Sequence, residues 1–336
     1  MDGVPGLVEC GPGLVDGASG PAVGVPRLLT GASRRPAGGT VVHNRRMGLW
    51  RTEAPARGVV TDVDLREAAR LCAVDPVVSV LAASRIEAAL ASGARTAGRA
   101  AWGLERGGRL VALCWVGANL VPVCDPADDE ALDAFASAAL RQGRRCSSIV
   151  GDAPVVLDLW KRLRPSWGEA REVRADQPSM VIDHAPLVTP DPAVRRSVPA
   201  DLGVLMPACV QMFIEEVGYS PLEAGPGAYE ARVRGLVEDH RSFVRVAERD
   251  GGPAVSFKAE LGAVSAAVAQ VQGVWVAPDR RRGGLATAGM AAVVAETLAT
   301  VAPTVSLYVN HYNTGALIAY ERVGFRQVGT YATVLF

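Results

Sequence analysis

From residue 58 onward the chain reads as strand-like and helix-like runs that alternate along its length. GVVT (58–61) is a short apolar strand; Asp62 or Asp64 then serves as N-cap to a helix whose apolar residues recur at helical spacing. DPVVSVLAASRIEAALASG predicts a second helix, opened by Asp75 and Pro76 and closed by Gly93. AAWGLERGGRLVALCWVGANLVPV holds two or three strands that turn at Gly107 and Gly108. A helix at 128–141, a strand at 146–150, a helix at 153–163 and a strand at 179–183 complete this half.

HAPLVTPDP (184–192) is a proline-punctuated connector, and after it the pattern begins again. AVRRSVPADLGVLMPACVQMFIEEVG reads as strand then helix, and AYEARVRGLVEDHRSF as another helix. A hairpin turns at Asp250, Gly251 and Gly252, and AVAQVQGVWVAP is a long apolar strand. A helix then runs to about residue 299, followed by the strand TVSLYVN, the helix NTGALIAYERVG ended by Gly324, and a closing strand. The same order of elements met twice predicts an α/β fold with an α+β mixed sheet. It is built from two related domains, 58–184 and 194–336, packed together.

Residues 1–57 are rich in Gly, Pro, Ala and Val and show no period of either kind, which predicts a disordered lead. Within it Met47 is a candidate alternative start.

Composition narrows the function classes. At 336 residues the chain is long enough for two domains, with 49% apolar and 21% charged residues. Lys+Arg and Asp+Glu both count 35, so no global field draws the chain to nucleic acid or to anionic lipid. Charge or proline interrupts the apolar runs before the roughly 18 residues of a membrane span. The N-terminus lacks the basic start and compact apolar segment of a secretory signal. The six cysteines form no C-x-x-C pair, and none of the four histidines has a metal-like partner at helical spacing. These features predict a cytoplasmic protein with reduced thiols, no metal, no nucleic acid and no membrane partner.

APDRRRGGLATAGM (277–290) carries the chemistry. It joins a strand to an exposed helix N-terminus, where free N–H groups and the positive end of the helix dipole converge into an anion site. Gly283 and Gly284 remove side chains where an oxygen must approach backbone, and Arg281 or Arg282 can reach over the same anion with forked donors. Ala286, Ala288 and Gly289 leave the first turns slim enough for a bulky ligand to lie along the helix. An ordinary basic surface turn is the alternative. A nucleoside-triphosphatase loop is excluded because no G-x-x-x-x-G-K-[ST] occurs, and a G-x-G-x-x-G dinucleotide fingerprint fails too.

R-x-x-G-x-A at Arg281, Gly284 and Ala286, straight after GVWVAP, resembles the pyrophosphate loop of the GCN5-related N-acetyltransferases (GNAT), a superfamily that uses acetyl-CoA. LYVNHYNTGALIAYERVGF is similar to that family's closing segment, and the resemblance covers residues 194–336. The first half has NLVPVCDPADDEALDAF where the loop belongs, acidic and free of glycine, and looks like a degenerate copy. The layout resembles the two-domain members that carry an N-terminal domain of unassigned function.

The resemblance implies an N-acetyltransferase with acetyl-CoA, or another acyl-CoA, as co-substrate. It further implies that the strand bearing Val274, Trp275 and Val276 splays from its neighbour and pairs its backbone with the pantetheine arm. The N–H of Val276 then serves as oxyanion donor. Arg281, Arg282, Gly283, Gly284, Leu285, Ala286 and Thr287 would bind the pyrophosphate, and Asn313 the cofactor arm, unless Asn313 serves only as a helix N-cap. Tyr320 is the general-acid candidate, since a phenol can donate to a departing thiolate; its alternative is a packing role.

Family members often carry a Glu on the strand before the loop, where this chain has Gln270 and Gln272. Water-mediated proton removal, an amine already neutral, or Glu215 and Glu216 as base or as clamp on a cationic substrate remain open. His311 is a minor candidate, and Lys258 with Glu260 predicts a solvated strand face. The acceptor is a small-molecule or peptide amine, and a homodimer is left open. A non-catalytic acyl-CoA-binding sensor is the second reading.

Overall fold

The computed structural model describes residues 58–223 and 226–336. The expected lead at 1–57, with Met47, lies outside the described residues. In the first half, α1 (Leu65–Cys72) and α2 (Val80–Ala91) precede β1 (Ala101–Arg106), β2 (Arg109–Val116) and β3 (Asn119–Val123). Then come α3 (Asp129–Gln142), β4 (Ser148–Asp152), α4 (Ala153–Trp167) and β5 (Glu172–Ile182). The second half runs β6 (Arg195–Arg196), α5 (Leu202–Val217), α6 (Pro226–Glu238), β7 (Ser242–Arg249), β8 (Gly252–Val264) and β9 (Val268–Val276). It ends with α7 (Leu285–Thr300), β10 (Thr304–Tyr308), α8 (Thr314–Val323) and β11 (Arg326–Leu335).

Capping residues set several of these ends. Asp64 accepts from the backbone N–H groups of Arg66 and Glu67, and Asp128 from that of Ala131. Asp75 does not open α2 as the sequence suggests. Its side chain caps a preceding turn through the N–H of Val78, and the helix begins at Val80. The opening strand shrinks to a single bridge, Val60 to Gly103.

The eleven strands of the described residues form one mixed sheet, in the order β1-β2-β3-β4-β11-β5-β10-β9-β8-β7-β6. The halves exchange their last strands. β11 leaves α8, passes its own β10, and inserts between β4 and β5 of the first half, antiparallel to both. β5 in turn pairs with β10, from Val305 opposite Ile182 to Tyr308 opposite Ser179. β5 starts seven residues earlier than its apolar stretch indicates, because its first part is polar and exposed and Pro178 reads as a break.

Helices cover both faces. α7 and α8 pack on one face of β8, β9 and β10 through Met290, Val294, Ala316 and Tyr320. On the opposite face α5 and α6 pack against Val244, Val255 and Trp275, and α1 and α2 against Tyr308 and Tyr331. α3 and α4 bury against Ala332 and Val334 of the exchanged β11. A central strand covered on both sides has no wet face, and in β8 the run Val255–Leu261 is buried without interruption. Lys258 and Glu260, expected on a solvated face, are therefore core residues with 0% and 3% exposure.

Candidate functional site

β9 and β10 lie parallel, but only Thr304, Val305 and Ser306 pair with Val268, Ala269 and Gln270. Beyond that the strands part. The register of β8 against β9 slips between Gln272 and Trp275, where Gly273 takes a left-handed φ of +60° that a side chain would strain. The Gly273 carbonyl accepts from the Lys258 ammonium at 3.0 Å, which holds the bulge from behind.

Past the bulge the alternation of the strand decides what faces the gap. The N–H of Ala277 donates to Ser256 across β8, so the groups of Trp275 point to β8 as well and those of Val276 point away from it. The outward side of Val276 is used: its carbonyl accepts from Arg281 Nε at 3.0 Å. Val276 thus turns its backbone to the gap. Trp275 does not; its backbone faces β8 and its indole packs against α5 and α6.

The segment from Ala277 to Gly284 makes one turn of tight helix at Pro278–Arg280 and then lifts into α7. Arg282 stands at φ +63° and Gly284 at +82°. For an L-residue such a conformation costs about 1–2 kcal/mol, and strain of this kind gathers at ligand-binding turns. Gly284 occupies the N-cap without a side-chain cap, so the first N–H groups of α7, from Leu285 through Ala286 to Thr287, have no intrahelical acceptor. A Cβ built on Gly284 meets no heavy atom within 4 Å, and one on Gly283 meets only the Arg280 carbonyl at 3.7 Å. The mouth of the helix is open, and it is fit for an anion. Gly289 has another reason to be small: a Cβ there would sit 2.8 Å from the Phe257 ring, so it lets α7 approach β8 and leaves no ligand groove.

Neither acid at the end of α5 is free. Glu215 binds Arg281 at 2.7 Å and accepts from Gln211. Glu216 is buried against Arg174 at 3.1 Å, and Arg174 also binds Glu172. Arg174 comes from β5, so the exchanged strand brings a first-half cation to the end of a second-half helix. Asn313 caps α8, its side chain accepting from Ala316 at 3.3 Å. Tyr320 is fully buried on α8, in the same cluster as Val274, Val276 and Ala286. His311 lies exposed beside Asp176.

Sequence reasoning missed the charged cluster behind the bulge. Lys258 binds Glu260 at 2.6 Å, Arg232 of α6 stands 3.6 Å from the same carboxylate, and Gln272 hydrogen-bonds it as well. Burial pushes the Glu260 carboxyl up, but Lys258, Arg232 and the two hydrogen bonds outweigh it and hold the group below the ordinary glutamate range. Among the described residues no cluster of His, Cys, Asp or Glu suits a metal ion, and no helix is long and apolar enough to cross a membrane.

Residues 214–325 match the model of the acetyltransferase (GNAT) family. The second half carries a GNAT domain. Residues 98–205 match a domain of unknown function, DUF4081, that precedes it. A Drosophila protein of known structure shares the fold at a TM-score of 0.55 and 14% identity, over 81% of this chain and 95% of that one. A GCN5-related N-acetyltransferase from Sphaerobacter thermophilus aligns at a TM-score of 0.49 and 19% identity, over 80% and 90%. A tandem GNAT protein from the clavulanic acid biosynthesis pathway aligns at 0.47 and 13%, over 83% and 97%. No curated protein matches this chain. The GNAT family and fold support a function in acyl transfer.

Proposed function

We propose that the GNAT domain is an N-acetyltransferase that moves the acyl group of acetyl-CoA, or of a related acyl-CoA, to a primary amine of a small molecule or peptide. The observation that carries this reading is the parted β9–β10 pair, with the polar backbone of Val276 turned into the gap and the open N-terminus of α7 at its end. The acyl-CoA brings an activated thioester. The chain supplies an anion cradle of N–H groups from Gly283 to Thr287, flanked by Arg281 and Arg282, and the Val276 N–H for charge developing on the carbonyl oxygen.

Thiol release from acetyl-CoA and longer acyl-CoAs against a panel of amines tests the reading. Gly284→Ala keeps the helix but forces a side chain into a left-handed position, at a cost of about 1–2 kcal/mol. It is expected to raise the KM for acyl-CoA about tenfold with little change in kcat; an unchanged KM would remove the loop from the site.

The pairing with Arg281 supports a role for Glu215 distinct from that of a base. It occupies Arg281, and an incoming pyrophosphate competes with it for the guanidinium. Partly exposed pairs are worth about 0.2–1 kcal/mol, so Glu215→Gln is expected to tighten acyl-CoA binding up to about fivefold in calorimetry. A fall in kcat/KM with loss of the acid limb of the pH profile would instead make Glu215 the base.

The sensor reading keeps one specific support: β9 has Gln270 and Gln272 where family members often place an acid, and Glu215 and Glu216 both hold arginines. Tight acyl-CoA binding without thiol release over the whole panel would favour it.

A further inference from the structure

A cavity of about 140 Å³ lies on the face of the sheet opposite α7, and both halves wall it. β9 and β10, the strands that part, contribute Gln272 and Tyr308; α6 contributes Arg232; the first half contributes Ser84 and Arg85 of α2 and Trp115 of β2. The cavity therefore borders the parted strands from the side of the sheet opposite α7. A cavity of about 150 Å³ accommodates a molecule the size of benzene, so this one suits a small metabolite and excludes a folded chain or a nucleic acid.

The charged lining is one-signed. Arg85 and Arg232 line the cavity, one from each half, and no carboxylate does. The nearest acid on the second-half side, Glu260, is bound at 2.6 Å by Lys258 and is 3.6 Å from Arg232, so two cations face one buried anion. The acid on α2, Glu87, accepts from the backbone N–H of Ala266. A carboxylate brought out of water needs charged or forked donors to offset its desolvation, and guanidinium groups supply both. An amine without an anionic group would find no acidic partner in this lining.

Resting on the acyl-transfer reading above, we infer that this cavity is the acceptor pocket and that it selects a small amine bearing a carboxylate, of amino-acid size. The first half, including the domain of unknown function, then has a task. It no longer has a glycine loop of its own, and it supplies Arg85 and the Trp115 wall to its neighbour's acceptor. The amine enters with its carboxylate toward Arg85 and Arg232 and its nitrogen toward the gap beside Gln272. In the transfer the nitrogen bonds to the acyl carbon, the carbon–sulfur bond breaks, and the amine loses a proton while the thiolate leaves as the thiol.

Matched pairs of acceptors test this: alanine against ethylamine, lysine against cadaverine, glutamine against its α-amide. The carboxylated member of each pair is expected to show at least tenfold higher kcat/KM. Arg85→Gln and Arg232→Gln should each remove most of that preference through KM for the amine, while acyl-CoA affinity by calorimetry and the circular dichroism spectrum stay as in the parent. Equal or better use of the decarboxylated or amidated partners would overturn the carboxylate assignment and leave acyl transfer standing. If acyl-CoA binds but no acceptor releases thiol, calorimetry with the same amino acids decides. Binding lost in both arginine variants supports the pocket, and binding absent in the parent or unaltered in the variants overturns it. Failure to bind any acyl-CoA would sink the underlying acyl-transfer reading by itself.

Discussion

Replacing Lys258 by Met is expected to destabilise the protein by about 3–5 kcal/mol, because it leaves the Glu260 carboxylate buried without its closest partner. Lys258 is 0% exposed, and its ammonium is shared between Glu260 at 2.6 Å, the Gly273 carbonyl at 3.0 Å and the Met212 sulfur at 3.2 Å. The pH dependence separates a lost charge partner from lost packing. In the parent the Glu260 carboxyl is held below the ordinary glutamate range. It therefore contributes stability above that range, and this contribution fades as acid protonates the native state. In the variant, burial dominates and raises the folded pKa above the unfolded one. The carboxyl then disfavours the native state as pH rises, and the deficit should shrink from pH 7.5 toward pH 5. Urea unfolding at several pH values reads this directly. Lys258→Met with Glu260→Leu should recover most of the loss, since a well-packed apolar pair often replaces a buried ion pair at no cost. A deficit that is constant with pH and persists in the double variant would mean packing alone.

That cluster also marks the boundary of what could be read from the residues in order. Local rules offered Asp64, beside Asp62, and Asn313 as caps, and located the Gly107–Gly108 turn and the strand, turn and helix around Arg281, because each depends on neighbours within a few positions. The acid pair Glu215 and Glu216 stands out in the sequence, yet its partners Arg281 and Arg174 lie 66 and 42 positions away and no spacing announces them. Phe257-Lys258-Ala259-Glu260-Leu261 alternates as a half-wet strand does. Only the packing of α5 and α6 on the second face turns it into a core strand. The exchange of β5 and β11 was equally illegible. Both ends are ordinary closing strands by composition, and which half each joins is decided by long-range register: Tyr331 opposite Asp152 on one side and Gln177 on the other. The signal that existed was Tyr331 itself. A large polar aromatic in a closing strand needs a partner when buried, and its hydroxyl donates to the carbonyls of Val77 and Val78 in the first half.

Tyr320→Phe is expected to lower kcat by about a hundredfold while leaving the KM for acyl-CoA within about twofold, the lower end of what general acid catalysis contributes. The arrangement motivates a split of this kind. Tyr320 sits on α8, a helix pinned at its start by the Asn313 cap and at its end by Gly324, and its ring packs at 5.9 Å from Phe325. Removing the hydroxyl keeps the ring and its contacts, so the gap between β9 and β10 should retain its shape. The loop before α7, proposed above to hold acyl-CoA, lies on a different element and should not register the change. A proton needed only as the thiolate departs affects the transition state and not the ground state, and such an interaction shows in kcat alone. Acyl donors with leaving thiols of lower pKa should then partly rescue the variant, because they need the proton less. If Tyr320→Phe lowers thermal stability and raises KM without moving kcat, or if the better leaving groups give no rescue, Tyr320 is a packing residue and the proton for the thiolate comes from elsewhere in the gap.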